Sequence, residues 1–224
     1  NGDFINPHSK LKIDKISPIN GDELSKIPNC DEYDIDYAVQ SARQSFLNRK
    51  WVDTNINKKK QILFNLANLI EENLNELAYL DTIETGRSIK NYFFDSIPKA
   101  IHAIRWFTES VDKYYGKSTL MTKNNFSIIT NQPLGVVGII TPWNDPLVVA
   151  SWKFTPALLM GNSIIVKPSE NSTYSILKIA ELTKKVGLPK GVFNVIPGLG
   201  NKTGKTLAKH KDVDAIYFTG SSET

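Results

Sequence analysis

The fold is decided by Gly135-Val136-Val137-Gly138-Ile139-Ile140-Thr141-Pro142-Trp143-Asn144-Asp145-Pro146. A short, β-branched apolar run ends at a polar turn, and an apolar segment of helical spacing, Leu147 to Met160, follows. The same alternation repeats downstream: strand Ser163–Val166, helix Ser172–Val186, strand Val192–Ile196, helix Gly200–Lys209 and strand Ala215–Thr219. Strands and helices in strict turn, with short links, call for right-handed crossovers and a parallel sheet covered on both faces. Pro156 should kink or break the first of these helices. In such a sheet, ligands bind beyond the carboxyl ends of the strands, so the residues that follow each strand carry the functional interest.

Upstream, the runs Lys12–Ile16 and Glu23–Ile27 flank Asn20-Gly21 and read as a hairpin. Apolar residues at helical spacing then predict helices over Asp34–Phe46, Lys60–Ile70 and Leu74–Ile83, the last stopped by Thr85-Gly86. A further helix is expected from Pro98 to Tyr114, since proline is tolerated in a first turn. Ser118–Thr122 and Phe126–Thr130 are β-rich around Lys123-Asn124-Asn125 and read as a hairpin arm that leaves the body and returns to it. The division is thus a helical part over 1–117, an arm over 118–133 and an α/β core over 134–224. The chain closes on Gly220-Ser221-Ser222-Glu223-Thr224, a turn that opens a helix, so a longer protein is expected.

Composition narrows the function classes. The 224 residues are 41% hydrophobic and 22% charged, which suits a soluble globular body. No window nears the roughly eighteen apolar residues of a membrane span, and the start lacks a signal-peptide pattern. The net charge of +4 is spread over helix faces beside Asn and Glu, so a nucleic-acid partner is not expected. The single cysteine, Cys30, excludes a disulfide framework and suits a reducing cytoplasm; its acidic neighbours should raise its pKa. His8, His102 and His210 show no metal-ligand spacing.

Chemistry gathers after the strands. Pro142 and Pro146 fix the backbone around Asn144, whose amide donor does not titrate and could stabilise a developing oxyanion; equally, Asn144 could simply cap the next helix. Lys167 and Glu170 stand three residues apart at a strand end, where they can flank a ribose and where the carboxylate would repel a 2′-phosphate. The alternative is a helix start with Ser169 and Glu170 complementing its dipole. Pro197-Gly198-Leu199-Gly200-Asn201-Lys202-Thr203-Gly204 is not G-x-G-x-x-G, since its last spacing is one residue too long, and it serves as a nucleotide turn or as a tight packing turn. Thr219-Gly220-Ser221-Ser222 offers backbone N–H groups and hydroxyls for a pyrophosphate.

Taken in order, Pro142-Trp143-Asn144-Asp145-Pro146, Lys167-Pro168-Ser169-Glu170, Gly191 to Gly198, and Phe218-Thr219-Gly220-Ser221 resemble the aldehyde dehydrogenase superfamily. The likeness runs back through Glu84-Thr85-Gly86 to the first hairpin. Asp95 to Pro98, Ala103 to Phe107 and Asp112 to Gly116 resemble the branch acting on ω-amino aldehydes, nearest to γ-glutamyl-γ-aminobutyraldehyde and betaine aldehyde dehydrogenases.

The resemblance implies an α/β, open-sheet dinucleotide-binding fold with NAD as cofactor and an aldehyde as substrate. It implies that Asn144 donates to a thiohemiacetal oxyanion and that Lys153 serves a charge relay. Lys167 and Glu170 would bind the adenine-side ribose, Trp143 and Ser169 would line the adenosine pocket, and Gly200 and Gly204 would let the adenine lie against a helix. Ser221 would reach the pyrophosphate, with Ile140, Thr141, Pro142, Phe218, Thr219 and Gly220 completing the cofactor surface. The arm would join subunits into dimers or tetramers.

The family's chemistry is attack by a cysteine thiolate, hydride transfer and thioester hydrolysis. Its nucleophile and general-base Glu fall beyond Thr224, and Cys30 matches neither, so this chain by itself should be inactive. Asp145 departs from the family's usual aromatic residue and puts the polarity of the substrate pocket in question. Two other readings stay open: a reductase of the same fold that releases an acyl phosphate or acyl-CoA, and a nucleotide-binding or assembly module without catalysis.

Overall fold

The computed structural model describes residues 3–123 and 125–221. The helix-opening turn expected over 220–223 falls partly outside these residues, as does Asn124 of the arm. The first hairpin pairs β1 (Lys12–Ile16) with β2 (Glu23–Pro28), Ile13 opposite Ile27. The loop between them spans residues 17–22, closed by Ser17 N–H to Asp22 O at 2.8 Å, with Gly21 in the left-handed region. Helix α1 (Glu32–Leu47) starts two residues before the apolar pattern, because Asp31 and Asp34 form a reciprocal capping box. Helices α2 (Ile56–Glu72) and α3 (Leu74–Thr85) are parted by Asn73 alone, and Gly86 ends α3 at φ 76°.

The next helix departs from the sequence expectation. Helical structure begins at α4 (Ile89–Asn91), passes through a π turn (Tyr92–Ser96), and continues as α5 (Ile97–Ser110) with a 3₁₀ turn over Val111–Lys113. Pro98 therefore sits in an early turn of α5 rather than opening the whole segment. Its ring would clash with the carbonyl four residues back in a regular helix; the π turn there lets the chain pass without a break. Pro156 likewise does not break α6 (Pro146–Leu159), which runs through it. The arm is β3 (Lys117–Thr122) paired antiparallel with β4 (Asn125–Ile129).

The α/β core follows the expected alternation: β5 (Val136–Ile140), α6, β6 (Ser163–Lys167), α7 (Tyr174–Lys185), β7 (Phe193–Val195), a π turn (Gly200–Gly204) running into α8 (Lys205–Lys209), and β8 (Ala215–Phe218). All the pairings are parallel, in the order β7-β6-β5-β8. The strand period of two sends Val137, Ile139, Ile164 and Val166 to one face, against Leu66, Ile104, Phe154 and Ile179 of the helices there. Val136 and Ile165 turn to the other face, against Ile35, Val39 and Ala42 of α1 and Leu207 of α8. Gly138 falls on this second face by the same alternation, and a Cβ there would crowd Ile216 and Leu207. Among the described residues no helix is long and apolar enough to cross a membrane.

One buried ion pair ties the hairpin to this core. Lys15 Nζ lies 2.6 Å from Glu84 Oε1 and 2.6 Å from the carbonyl of Glu170. Both side chains are buried, Lys15 at 4% exposure and Glu84 at 5%. Glu84 also accepts the N–H of Thr173 at 2.8 Å and of Tyr174 at 2.7 Å, the first free amides of α7. Burial pushes the Glu84 carboxyl up, and the Lys15 ammonium and these amides pull against that. Replacing Lys15 with Met should destabilise the chain by roughly 3–5 kcal/mol, because a buried carboxylate loses its charge partner. Urea unfolding measures this, and the double variant Lys15→Met/Glu84→Gln should recover most of the loss.

Candidate functional site

β5 begins the sheet near its middle. The chain winds outward through β6 and β7, then returns to lay β8 on the other side of β5. The strand order reverses beside β5, and in open parallel sheets the crevice at such a point is where ligands bind. The turns after the strands are laced together there. Thr141 N–H donates to Lys167 O at 3.2 Å, and Thr219 N–H to Ile140 O at 3.1 Å. Ser172 Oγ donates to Pro142 O at 3.4 Å.

Lys167 is the centre of this edge. It is 2% exposed, and its Nζ reaches Glu170 Oε2 at 3.1 Å. Burial lowers the Lys167 pKa, with Glu170 opposing it. For Glu170, burial favours the neutral acid. Backbone amides, Gly200 among them, and the Lys167 ammonium outweigh it and hold the carboxyl below its ordinary value. The carboxylate is thus an anion at neutral pH that leans from the β6 turn towards the glycine turn after β7.

That glycine turn separates structural from unexplained glycines. Gly198 has φ 154°, and a Cβ on it would collide with Thr203, so the fold itself demands glycine. Gly200 and Gly204 have ordinary φ. A Cβ on Gly200 would come no nearer than 4.0 Å to Lys167 Nζ, and one on Gly204 no nearer than 3.9 Å to Ile140 and Lys167. Nothing among the described residues forbids a side chain at either position. Both leave a bare surface against Lys167 and Ile140, the shape a flat ring system would need. Thr141 Oγ1 adds a buried hydroxyl with no partner among the described residues. A dinucleotide fits these residues: a carboxylate for hydroxyls, an ammonium, and two glycines that leave room.

The backbone of Cys30 braces the same turn. Thr203 Oγ1 donates to Cys30 O at 2.7 Å, and Cys30 N–H to Pro197 O at 3.2 Å. Its thiol is buried and pushed up to about 12, chiefly by burial and then by Asp34 and Asp31. It is inert as a nucleophile at neutral pH. No group of three or more His, Cys, Asp or Glu able to hold a metal occurs among the described residues.

Ile140, Thr141, Pro142, Lys167, Glu170, Gly200 and Gly204 therefore converge. Ser169 is half-buried beside them, its Oγ engaged by the N–H of Asn171 at 3.2 Å. Trp143 is 51% exposed. Thr219, Gly220 and Ser221 lead away from β8, with Ser221 exposed and Phe218 44% exposed. Lys153 stands apart on α6, over the Tyr217 ring at 5.9 Å, its pKa lowered by burial.

Asn144 is exposed, and its side-chain amide makes no hydrogen bond among the described residues. The capping alternative falls away, because Asp145 occupies the N-cap of α6 and its side chain caps nothing either. Asp145 does not face the open side. Its Oδ2 meets Arg87 Nη1 at 3.0 Å, and its Oδ1 is buried. Arg87 and Tyr92, which sequence reasoning passed over, both hold the backbone of this loop. Their only sequence signal was proximity to Glu84-Thr85-Gly86.

Known proteins resemble this chain over its whole length. A relative from Escherichia coli (strain K12), the NADP/NAD-dependent aldehyde dehydrogenase PuuC, is 41% identical over the whole chain and is itself covered to 45% of its length. The solved γ-glutamyl-γ-aminobutyraldehyde dehydrogenase from Burkholderia cenocepacia J2315 superposes with a TM-score of 0.96 at 40% identity, over 99% of this chain and 45% of that one. An indole-3-acetaldehyde dehydrogenase complexed with NAD+ superposes with a TM-score of 0.97 at 40% identity, with the same shares covered. The chain thus spans less than half the length of these three relatives. The family model described as "Aldehyde dehydrogenase family" matches residues 4–224, and the chain belongs to that family.

Proposed function

We propose that this chain forms the cofactor-binding part of an enzyme that oxidises an aldehyde to a carboxylic acid with NAD⁺. The observation that carries the reading is the buried Lys167–Glu170 pair set against the bare Gly200–Gly204 turn at the crevice of a parallel sheet. Lys167 and Glu170 hold the adenine-side ribose, and Gly200 and Gly204 admit the adenine. Thr219 to Ser221, after β8, lie where the pyrophosphate crosses the crevice. When bound, the nicotinamide supplies the hydride acceptor.

Asn144 supplies the oxyanion donor. Its free amide sits on a loop pinned at both sides by proline, so it is held in place before charge develops on the aldehyde oxygen. The nucleophilic thiol and the general-base carboxylate are assigned to residues beyond Thr224. The substrate class is ω-amino or γ-glutamylamino aldehydes, supported by the resemblance of the α5 region and by the name of the Burkholderia relative. The β3–β4 arm, with Leu120, Met121, Phe126 and Ile128 all more than half exposed, is assigned to joining subunits of a dimer or tetramer.

The gene sequence past Thr224 gives the most direct check: the open frame should encode a cysteine and a glutamate of the family's catalytic part, and a stop codon there would leave only a nucleotide-binding module. In the full-length protein, Asn144→Ala should lower kcat by roughly 10²–10³, and a loss under about fivefold would reject the donor role. Glu170→Ser should raise the ratio of NADP⁺ to NAD⁺ efficiency, because the carboxylate that repels a 2′-phosphate is gone. Steady-state kinetics with both cofactors decides this, and an unchanged ratio would remove Glu170 from the ribose.

A further inference from the structure

The loop that carries Asn144 is held by groups far upstream in sequence. Arg87 Nη1 donates to Asn144 O at 3.1 Å and to Asp145 Oδ2 at 3.0 Å. Tyr92 Oη donates to the same Asn144 carbonyl at 3.3 Å and meets Thr85 Oγ1 at 2.8 Å. The Arg87 guanidinium lies over the Tyr92 ring at 5.2 Å, so the two side chains brace one another. Tyr92 is fully buried in the π turn, which aims its hydroxyl at the loop.

Asp145 is the telling residue. Aspartate is among the best N-caps, yet at the N-cap of α6 its side chain makes no cap bond. It turns to Arg87 instead. Asp81 is a further carboxyl in electrostatic reach, buried and pushed up to about 8 chiefly by burial. Among the described residues the salt bridge of Arg87 is to Asp145. Pro142 and Pro146 limit φ at the two ends of the loop, and between them the Asn144 carbonyl is gripped from two sides.

We propose that Arg87 and Tyr92, locked by Asp145, are positioning residues that fix the direction of the Asn144 amide donor. The assignment rests on the oxyanion role of Asn144 and deepens it. It also gives the Asp145 carboxylate a function that keeps it away from the substrate side of the loop.

The test is a double-mutant cycle in the full-length protein, with propanal and NAD⁺ as the assay pair. Arg87→Met should lower kcat about 10- to 100-fold, the scale of a donor displaced by around an ångström, while the NAD⁺ dissociation constant stays unchanged. In an Asn144→Ala background the same substitution should cost less than about twofold, because a positioning residue has nothing left to position. Tyr92→Phe removes one hydroxyl, keeps the buried ring, and serves the same cycle if Arg87→Met does not fold. An equal loss with and without Asn144, or no loss at all, would overturn the clamp. A full-rate Asn144→Ala enzyme would instead remove the oxyanion role beneath it, which separates the two failures.

Discussion

The central strands β5 and β6 are covered on both faces, and most of this molecule follows from that constraint. Val137, Ile139, Ile164 and Val166 face one set of helices, and Val136 and Ile165 the other. No side chain inside the sheet is free to do chemistry. Polar function is driven to the strand ends, where the backbone leaves its ladder and the turns can present side chains to a ligand. Because the strands are parallel, those ends collect on one edge, and the reversal of strand order beside β5 opens a crevice there.

Two buried ammonium–carboxylate pairs organise that edge. Lys15 and Lys167 are almost wholly enclosed, and each is matched by a carboxylate within 3.1 Å. Burying a charge is costly unless it is paired and hydrogen-bonded, so these pairs are unlike the many exposed ones on the helices. Both meet at the same short segment. Lys15 holds the carbonyl of Glu170, Lys167 holds its carboxylate, and Glu84 holds the amides that open α7. The turn between β6 and α7 is thereby set from three directions, which gives Glu170 a defined place before any ligand arrives.

The second functional turn is built differently. Between β5 and α6, prolines limit the backbone and neutral or ion-paired groups hold the carbonyl of Asn144. The two turns are thus held by different groups, one by the hairpin and α3, the other by Arg87 and the π turn, and are joined by the bonds of Thr141 and Ser172. The proposed function assigns the first turn to the cofactor and the second to the aldehyde oxygen.

The sequence alone determined the alternation of strands and helices, the two hairpins, and the cluster Lys167, Glu170, Gly200 and Gly204, because each rests on local periodicity or on residues close in the chain. It misjudged the start of the helix around Pro98, since a π turn that absorbs a proline leaves no periodic trace. It left Asn144 poised between cap and donor, and Asp145 between substrate pocket and scaffold. Only the tertiary structure removed the cap from Asn144 and paired Asp145 with Arg87, by bringing Arg87 and Tyr92 across more than fifty residues to the loop, as it brought Lys15 across 155 residues to Glu170. Such contacts depend on how helices pack on a sheet, and packing distance is not written in the spacing of any one segment.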